Sequence, residues 1–248
     1  MASDNNENKD LARKVNDFLY ANRKIVLAVL GCIVIITVGL IAGFEISNKL
    51  NKKAVSEVER VIYDLEEFKL KNKADSEDEK TAEAEEKSEK NRDTVSEEVK
   101  AEEDKAIEKL SALTAKRSSS YSAFRANTAI AEIYFQRKSY EEALKYYELA
   151  ALAVKNSYAA GVAYFNAASC ADESGNNEKA LEFYEKAATI ENFPLIPRAL
   201  FNAGRIYEAM SKKDEAVSRY NKLLESYPKN EWALLAKSRI IDISKDNL

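Results

Sequence analysis

Glu141-Glu142-Ala143-Leu144-Lys145-Tyr146-Tyr147 returns as Glu178-Lys179-Ala180-Leu181-Glu182-Phe183-Tyr184, and again as Asp214-Glu215-Ala216-Val217-Ser218-Arg219-Tyr220. The steps are 37 and 36 residues. Other strings keep the same period. Ser120-Tyr121-Ser122-Ala123 is echoed by Ser157-Tyr158-Ala159-Ala160, and Phe165-Asn166-Ala167-Ala168 by Phe201-Asn202-Ala203-Gly204. A period of this length marks a supersecondary unit that stacks on copies of itself.

Each unit holds two apolar stripes at helical spacing, separated by a short break. Asn127, Ile130, Ala131 and Tyr134 form the first stripe of unit one, and Ala143, Tyr147 and Ala150 the second. Lys138-Ser139, Gly175-Asn176-Asn177 and Ser211-Lys212-Lys213 are the three breaks. Antiparallel helices cross closely only where side chains are small. Ala131, Ala168 and Gly204 supply that on the first helices, and Ala143, Ala180 and Ala216 on the second. Tyrosines and leucines fill the space beside them. One hairpin cannot bury its own apolar face, so neighbours must stack.

These stripes resemble the tetratricopeptide repeat. Its first helix carries a large, aliphatic, small, aromatic series, and its second carries Ala, aromatic, Ala. The resemblance covers residues 121–228 in three units. It departs at Ala171, where an aromatic is usual, and at Leu223, where Ala is usual. The fold class expected is therefore all-α, a tetratricopeptide-type α-solenoid of antiparallel helix pairs behind one transmembrane helix.

The transmembrane helix is read from Ile25 to Phe44, 20 residues without a charge. A helix of that length rises about 30 Å, the thickness of a bilayer core. The run is longer than the ~7–15 residues of a signal-peptide core, and no clear cleavage site follows it. Residues 1–24 read as a polar tail and a short amphipathic helix, with Leu11, Val15, Phe18 and Leu19 on one face. Five basic residues fall in 5–24 and four in 45–64, a lean toward a cytoplasmic N-terminus and a periplasmic repeat domain. Cys32 has two readings: a buried membrane cysteine, favoured because the apolar run continues past it, or a lipidated one. Gly39 and Gly43 form a G-x-x-x-G pair through which membrane helices can self-associate.

Residues 45–120 read as a helix pair interrupted by an acidic insert at 71–105. The insert carries 8 basic and 14 acidic residues and has no aromatic, glycine or proline. Such a segment cannot bury enough apolar surface to order itself. Two readings of its flanks stand: one more repeat split by the insert, or an independent stalk helix and lead-in helix. Residues 229–248 read as a capping helix, with Asn230 at its N-cap and Trp232, Leu235, Ala236 and Ile240 turned toward the last repeat.

The sequence has no histidine and only two cysteines. It lacks a phosphate-binding glycine motif, and its carboxylates lie in charge-paired helix faces. No cofactor, metal or catalytic group is expected, and an enzyme is disfavoured. A net charge of −4 does not suggest nucleic acid. What remains is a protein-binding groove on the inner face of the first helices. Steps of three and four select Arg125, Thr128 and Glu132; then Val162, Phe165, Ser169 and Asp172; then Arg198, Phe201, Arg205 and Glu208. Phe165 and Phe201 would be its aromatic anchors. The same residues could instead pack against helix 54–70. One uncleaved span before a small tetratricopeptide domain is similar in layout to the ancillary subunit of the bacterial Sec translocon. That layout implies translocon or chaperone components, or peptide segments, as partners. The linker Tyr227-Pro228-Lys229-Asn230 resembles those of outer-membrane assembly and Tol-Pal repeat proteins.

Overall fold

The computed structural model describes residues 13–78, 85–155 and 157–245. The polar tail at 1–12 and the centre of the acidic insert, 79–84, lie outside the described residues. The chain divides into two compact units, Met1–Lys52 and Lys53–Leu248.

In the first unit, α1 covers residues 13–21, and α2 (Arg23–Asp78) begins directly after it and continues beyond the division. The uncharged run Ile25 to Phe44 lies wholly within α2. Its large apolar side chains are solvent-facing throughout, Ile35 at 73% and Leu40 at 68%. By length and composition this helix is long and apolar enough to cross a membrane. A Cβ built on Gly39 or Gly43 meets nothing within 4 Å.

The second unit stacks α3 (Glu85–Lys116), α4 (Tyr121–Gln136), α5 (Tyr140–Ala153), α6 (Tyr158–Glu173), α7 (Asn177–Ala188), α8 (Ile196–Ala209), α9 (Lys213–Ser226) and α10 (Glu231–Lys245). No strand occurs among the described residues. Three hairpins, α4/α5, α6/α7 and α8/α9, are the three repeats. The small residues Ala131, Ala143, Ala168, Ala180 and Ala216 are each fully buried where the helices cross. At Gly204 the crossing is so close that an added Cβ would lie 2.4 Å from Cε1 of Tyr220.

The helix ends explain the break in each unit. Ser120, Ser157 and Asn176 cap α4, α6 and α7 by accepting the N–H of Ala123, Ala160 and Lys179. Each first helix stops in the same way. Lys138, Gly175 and Ser211 occupy equivalent positions and all take the left-handed conformation, at φ 58°, 74° and 60°. The following N–H then returns to the carbonyl five residues back: Ser139 to Tyr134, Asn176 to Ala171 and Lys212 to Tyr207. This is the Schellman closure, which satisfies carbonyls that the helix end leaves open. It aims each second helix back along the first.

Before the three repeats, α2 and α3 pack on α4. Val58 and Leu110 are buried with Ala126, Ala129 and Ile130, and Leu65 and Ala106 with Ile133. Glu59 meets Arg125, and Lys69 meets Gln136, so this part of α2 runs parallel to α4. Arg137, at the end of α4, meets Lys100, Glu103 and Asp104 of α3, which therefore runs antiparallel to it. These are the directions of a further first and second helix. Residues 55–70 hold no alanine or glycine at the crossing.

The structure corrects the expected disorder of 71–105 over its last part. Residues 97–105 belong to α3, and Glu103 is buried between Lys69 (2.5 Å) and Arg137 (2.7 Å). Arg137 also donates to Asp104 (2.7 Å) and to the Lys100 carbonyl (2.9 Å). Low apolar content did not prevent order there, because the segment docks through ion pairs rather than through apolar bulk.

The cap expected at 229–248 is α10, with the Asn230 side chain accepting the Trp232 N–H at 3.0 Å. Its inner face is Ala233, Ala236 and Ile243, all buried, with Ile240 half-buried. Leu235, expected to face inward, is 48% exposed. The inner face is set by the alanine pair, so a residue one step past Leu234 turns outward.

Candidate functional site

Ion pairs join three neighbouring pairs of helices: α2 to α4, α6 to α8 and α8 to α10. Arg125 of α4 grips Glu59 of α2 with two hydrogen bonds of 2.6 and 2.9 Å. Arg205 of α8 pairs with Asp172 of α6, and Arg239 of α10 pairs with Glu208 of α8. The hydrogen bond from Arg125 holds the Glu59 carboxyl below the ordinary value, and the charge of Arg125 adds to that. Charged residues of both signs therefore line the first-helix face on α2 and α4, and again on α6, α8 and α10.

Its aromatic part lies where α6, α8 and α10 meet. The exposed guanidinium of Arg198 lies 5.3 Å from the Phe165 ring and 5.4 Å from the Trp232 ring. Stacking of a cation on ring faces is favourable and strengthens as water leaves. Phe201 is half-buried, 5.2 Å from Trp232 and 5.6 Å from Tyr220 between centroids. Ser169 donates to the Phe165 carbonyl at 3.1 Å and lies 3.4 Å from the Tyr184 hydroxyl.

Two of the expected groove residues belong to the interior instead. Phe165 is 6% exposed and makes an edge-on contact with Tyr184 at 5.3 Å and a tilted one with Phe193 at 6.2 Å. Phe193 comes from the connection between α7 and α8. It also packs so tightly on Gly161 that an added Cβ would lie 2.6 Å from its ring. Thr128 is 9% exposed. Its Oγ1 is the one buried side-chain polar atom without a hydrogen-bond partner among the described residues. Steps of three and four along α4 and α6 select a stripe wide enough to include these inward positions. The open residues of the stripe are Arg125, Glu132, Val162, Ser169, Asp172, Arg198, Phe201, Arg205 and Glu208.

Glu132 differs from its equivalents. Arg205 holds an ion pair and Ser169 a hydrogen bond at the same repeat position, whereas the exposed Glu132 makes neither among the described residues. Desolvation by the surrounding wall raises its pKa, and the charge of Glu66 adds to that, against the pull of Arg125. Trp232 was not among the sequence-derived site residues, yet it completes the aromatic cluster. Its signal was its place 34 residues after Arg198.

Burial raises the Cys170 thiol to about 12, so this fully buried side chain is a packing group. Among the described residues, no group of three or more His, Cys, Asp or Glu is arranged to hold a metal ion.

Comparison with known proteins agrees with the repeat architecture. Residues 122–190 and residues 198–230 match two models described as tetratricopeptide repeat. Over those residues the repeats are similar to tetratricopeptide repeats. A "TPR repeat-containing protein" of Treponema pallidum (strain Nichols) is 50% identical over 119 residues, 48% of this chain. The match spans about half the length of that curated relative, 50%. Among solved structures, MamA aligns at 15% identity with a TM-score of 0.42, covering 61% of this chain and 88% of its own. YrrB, described as a TPR protein with an unusual peptide-binding site, aligns at 21% and 0.40, covering 59% and 80%. A Podosopora anserina putative kinesin light chain with nearly identical TPR-like repeats aligns at 17% and 0.46, covering 60% and 80%. Tetratricopeptide repeats are protein-interaction modules, and a protein-binding scaffold is the class of work this fold does.

Proposed function

We propose that the chain is a membrane-anchored scaffold or adaptor of the bacterial cell envelope, chaperone-like at the secretion translocon, that binds segments of other proteins. In this reading Ile25 to Phe44 crosses the membrane, the N-terminus is cytoplasmic and the repeats are periplasmic. The supporting observation is the open first-helix face. Arg198 lies across two aromatic rings within a row of charged residues, and Glu132 is exposed on the same face. An extended client can set a carboxylate or carbonyl on Arg198, pack an apolar side chain beside Phe201 and Trp232, and offer a donor to Glu132. The exposed apolar run of α2 supports the anchor.

The test is photo-crosslinking in intact cells, with the crosslinker at Arg198 and, as a control, at Lys222 on α9. Adducts to translocon components, chaperones or exported chains at position 198 and not at 222 are expected. Adducts equal at both positions, or none at 198, would overturn the groove. A second reading is a structural envelope organiser, acting through self-association or in outer-membrane assembly. The outward apolar row of α10 favours it.

A further inference from the structure

Helix α10 repeats the pattern of a first helix. Leu200, Gly204 and Tyr207 are the residues of α8 that line its crossing with α9, and 34 residues later stand Leu234, Ser238 and Ile241 of α10. In α8 this face is covered. Among the described residues no second helix covers it in α10, where Leu234 is 70% and Ile241 47% exposed. The opposite side of α10, Ala233, Ala236 and Ile243, is buried on the third repeat, so the open side faces away from the stack.

The open face has a register of its own. Glu231, Leu234, Ser238, Ile241 and Lys245 follow one another at steps of three and four, the a/d spacing of a helix-pairing seam. All five are exposed. Reversing this seam about Ser238 sets Glu231 beside Lys245 of the reversed copy, Leu234 beside Ile241, and Ser238 on Ser238. Its charges are self-complementary only in the antiparallel sense, and its smallest residue lies at the centre, where Gly204 lies in the covered crossing of α8 and α9.

We infer that α10 pairs with α10 of a second copy of this chain. The interface is an antiparallel, two-fold helix pair that covers the exposed face of α10. A two-fold interface must be complementary to itself, which this seam is. One helix pair buries less than the ~1,200 Å² of a standard stable interface, so pairing is favoured where copies are concentrated, as in a membrane plane.

Oxidative crosslinking of the full chain in vesicles tests the inference, in a Cys32→Ser background that leaves only the buried Cys170. Ser238→Cys places two thiols at the two-fold axis, within disulfide reach, and should give a disulfide dimer on copper–phenanthroline oxidation. Glu215→Cys, exposed on α9, should give at least ten-fold less. Glu231→Lys added to Ser238→Cys should suppress the dimer, and Lys245→Glu added to both should restore it. Circular dichroism confirms that each variant folds. Equal crosslinking at 215 and 238, failure of the charge swap to rescue, or a Ser238→Cys adduct with another protein in place of the dimer would overturn it. Success here is independent of crosslinking at Arg198, since the two faces lie on different sides of α10.

Discussion

Gly204→Ala sets two known effects against each other, and the structure decides the sign. Alanine in a helix interior is favoured over glycine by about 1 kcal/mol. At Gly204, however, the new methyl would lie 2.4 Å from Cε1 and 2.7 Å from Cζ of Tyr220, where ordinary contacts begin near 3.4 Å. The ring must retreat by about 1 Å, and it has little room, because overpacked cores give way only by straining side chains and backbone. Tyr220 is fully buried, its hydroxyl donates to Glu208, and Phe201 stands against it. Overpacking of this kind costs about 1–3 kcal/mol. After the helical gain, a net loss of about 1 kcal/mol remains. For the 196-residue unit from Lys53 to Leu248, that lowers the melting temperature by roughly 2–4 °C. Thermal unfolding of the full chain in detergent, followed by circular dichroism, reads the shift. Tyr220→Leu is destabilising by itself. In that background, Gly204→Ala should raise the melting temperature, because the obstruction is gone. A rise in the wild-type background would refute the close crossing.

Lys138→Gly and Ser211→Gly should each raise stability by up to about 1 kcal/mol, since both hold a left-handed backbone that glycine adopts freely; urea midpoints check this, and an unchanged or lower midpoint would count against the closure described. Glu132→Gln should raise the melting temperature at neutral pH. The folded chain keeps the Glu132 proton to a higher pH than the unfolded chain does, so the stability that proton brings is complete below the unfolded value near 4.5 and is lost as pH rises through the folded value. The difference between Gln and Glu should vanish at acid pH in a series of thermal melts. Phe165→Ala should cost about 3–5 kcal/mol, as for a buried ring, in denaturant unfolding; a nearly unchanged midpoint would return Phe165 to the groove. Arg137→Ala should loosen α3, losing about 1–3 kcal/mol as Glu103 and Asp104 lose their donor, with faster proteolysis near residue 100 as the readout.

The helix pairs and their crossings were legible because the same small and aromatic residues recur at one period, from Ala143 to Ala180 to Ala216. What periodicity could not decide was depth. Phe165 and Phe201 hold the same repeat position, yet only Phe165 is buried, because Phe193 reaches it from a connection outside the repeated strings. The order of α3 near Glu103 was hidden by averaging. A window from 71 to 105 is acidic and poor in apolar bulk, but its last residues are held by Lys69 and Arg137, far away in sequence. The left-handed turn was visible at Gly175 alone, since Lys138 and Ser211 adopt it without a glycine to announce it.

In the repeats, each helix packs chiefly against its sequence neighbours. Linear stacking of this kind sets the order in which backbone amides meet water. The α6/α7 hairpin has a hairpin on either side, so its amides, around Ala167 and Ala187, should exchange with deuterium only in the largest openings. Among the described residues α10 packs chiefly on α8 and α9 and can detach alone, so its amides should exchange early. A pulse of deuterated solvent would then write the position of each repeat along the array into its mass, with the slowest exchange at the centre. Amides of α10 that slow as the protein becomes denser in the vesicle would show that the open end has gained a neighbour.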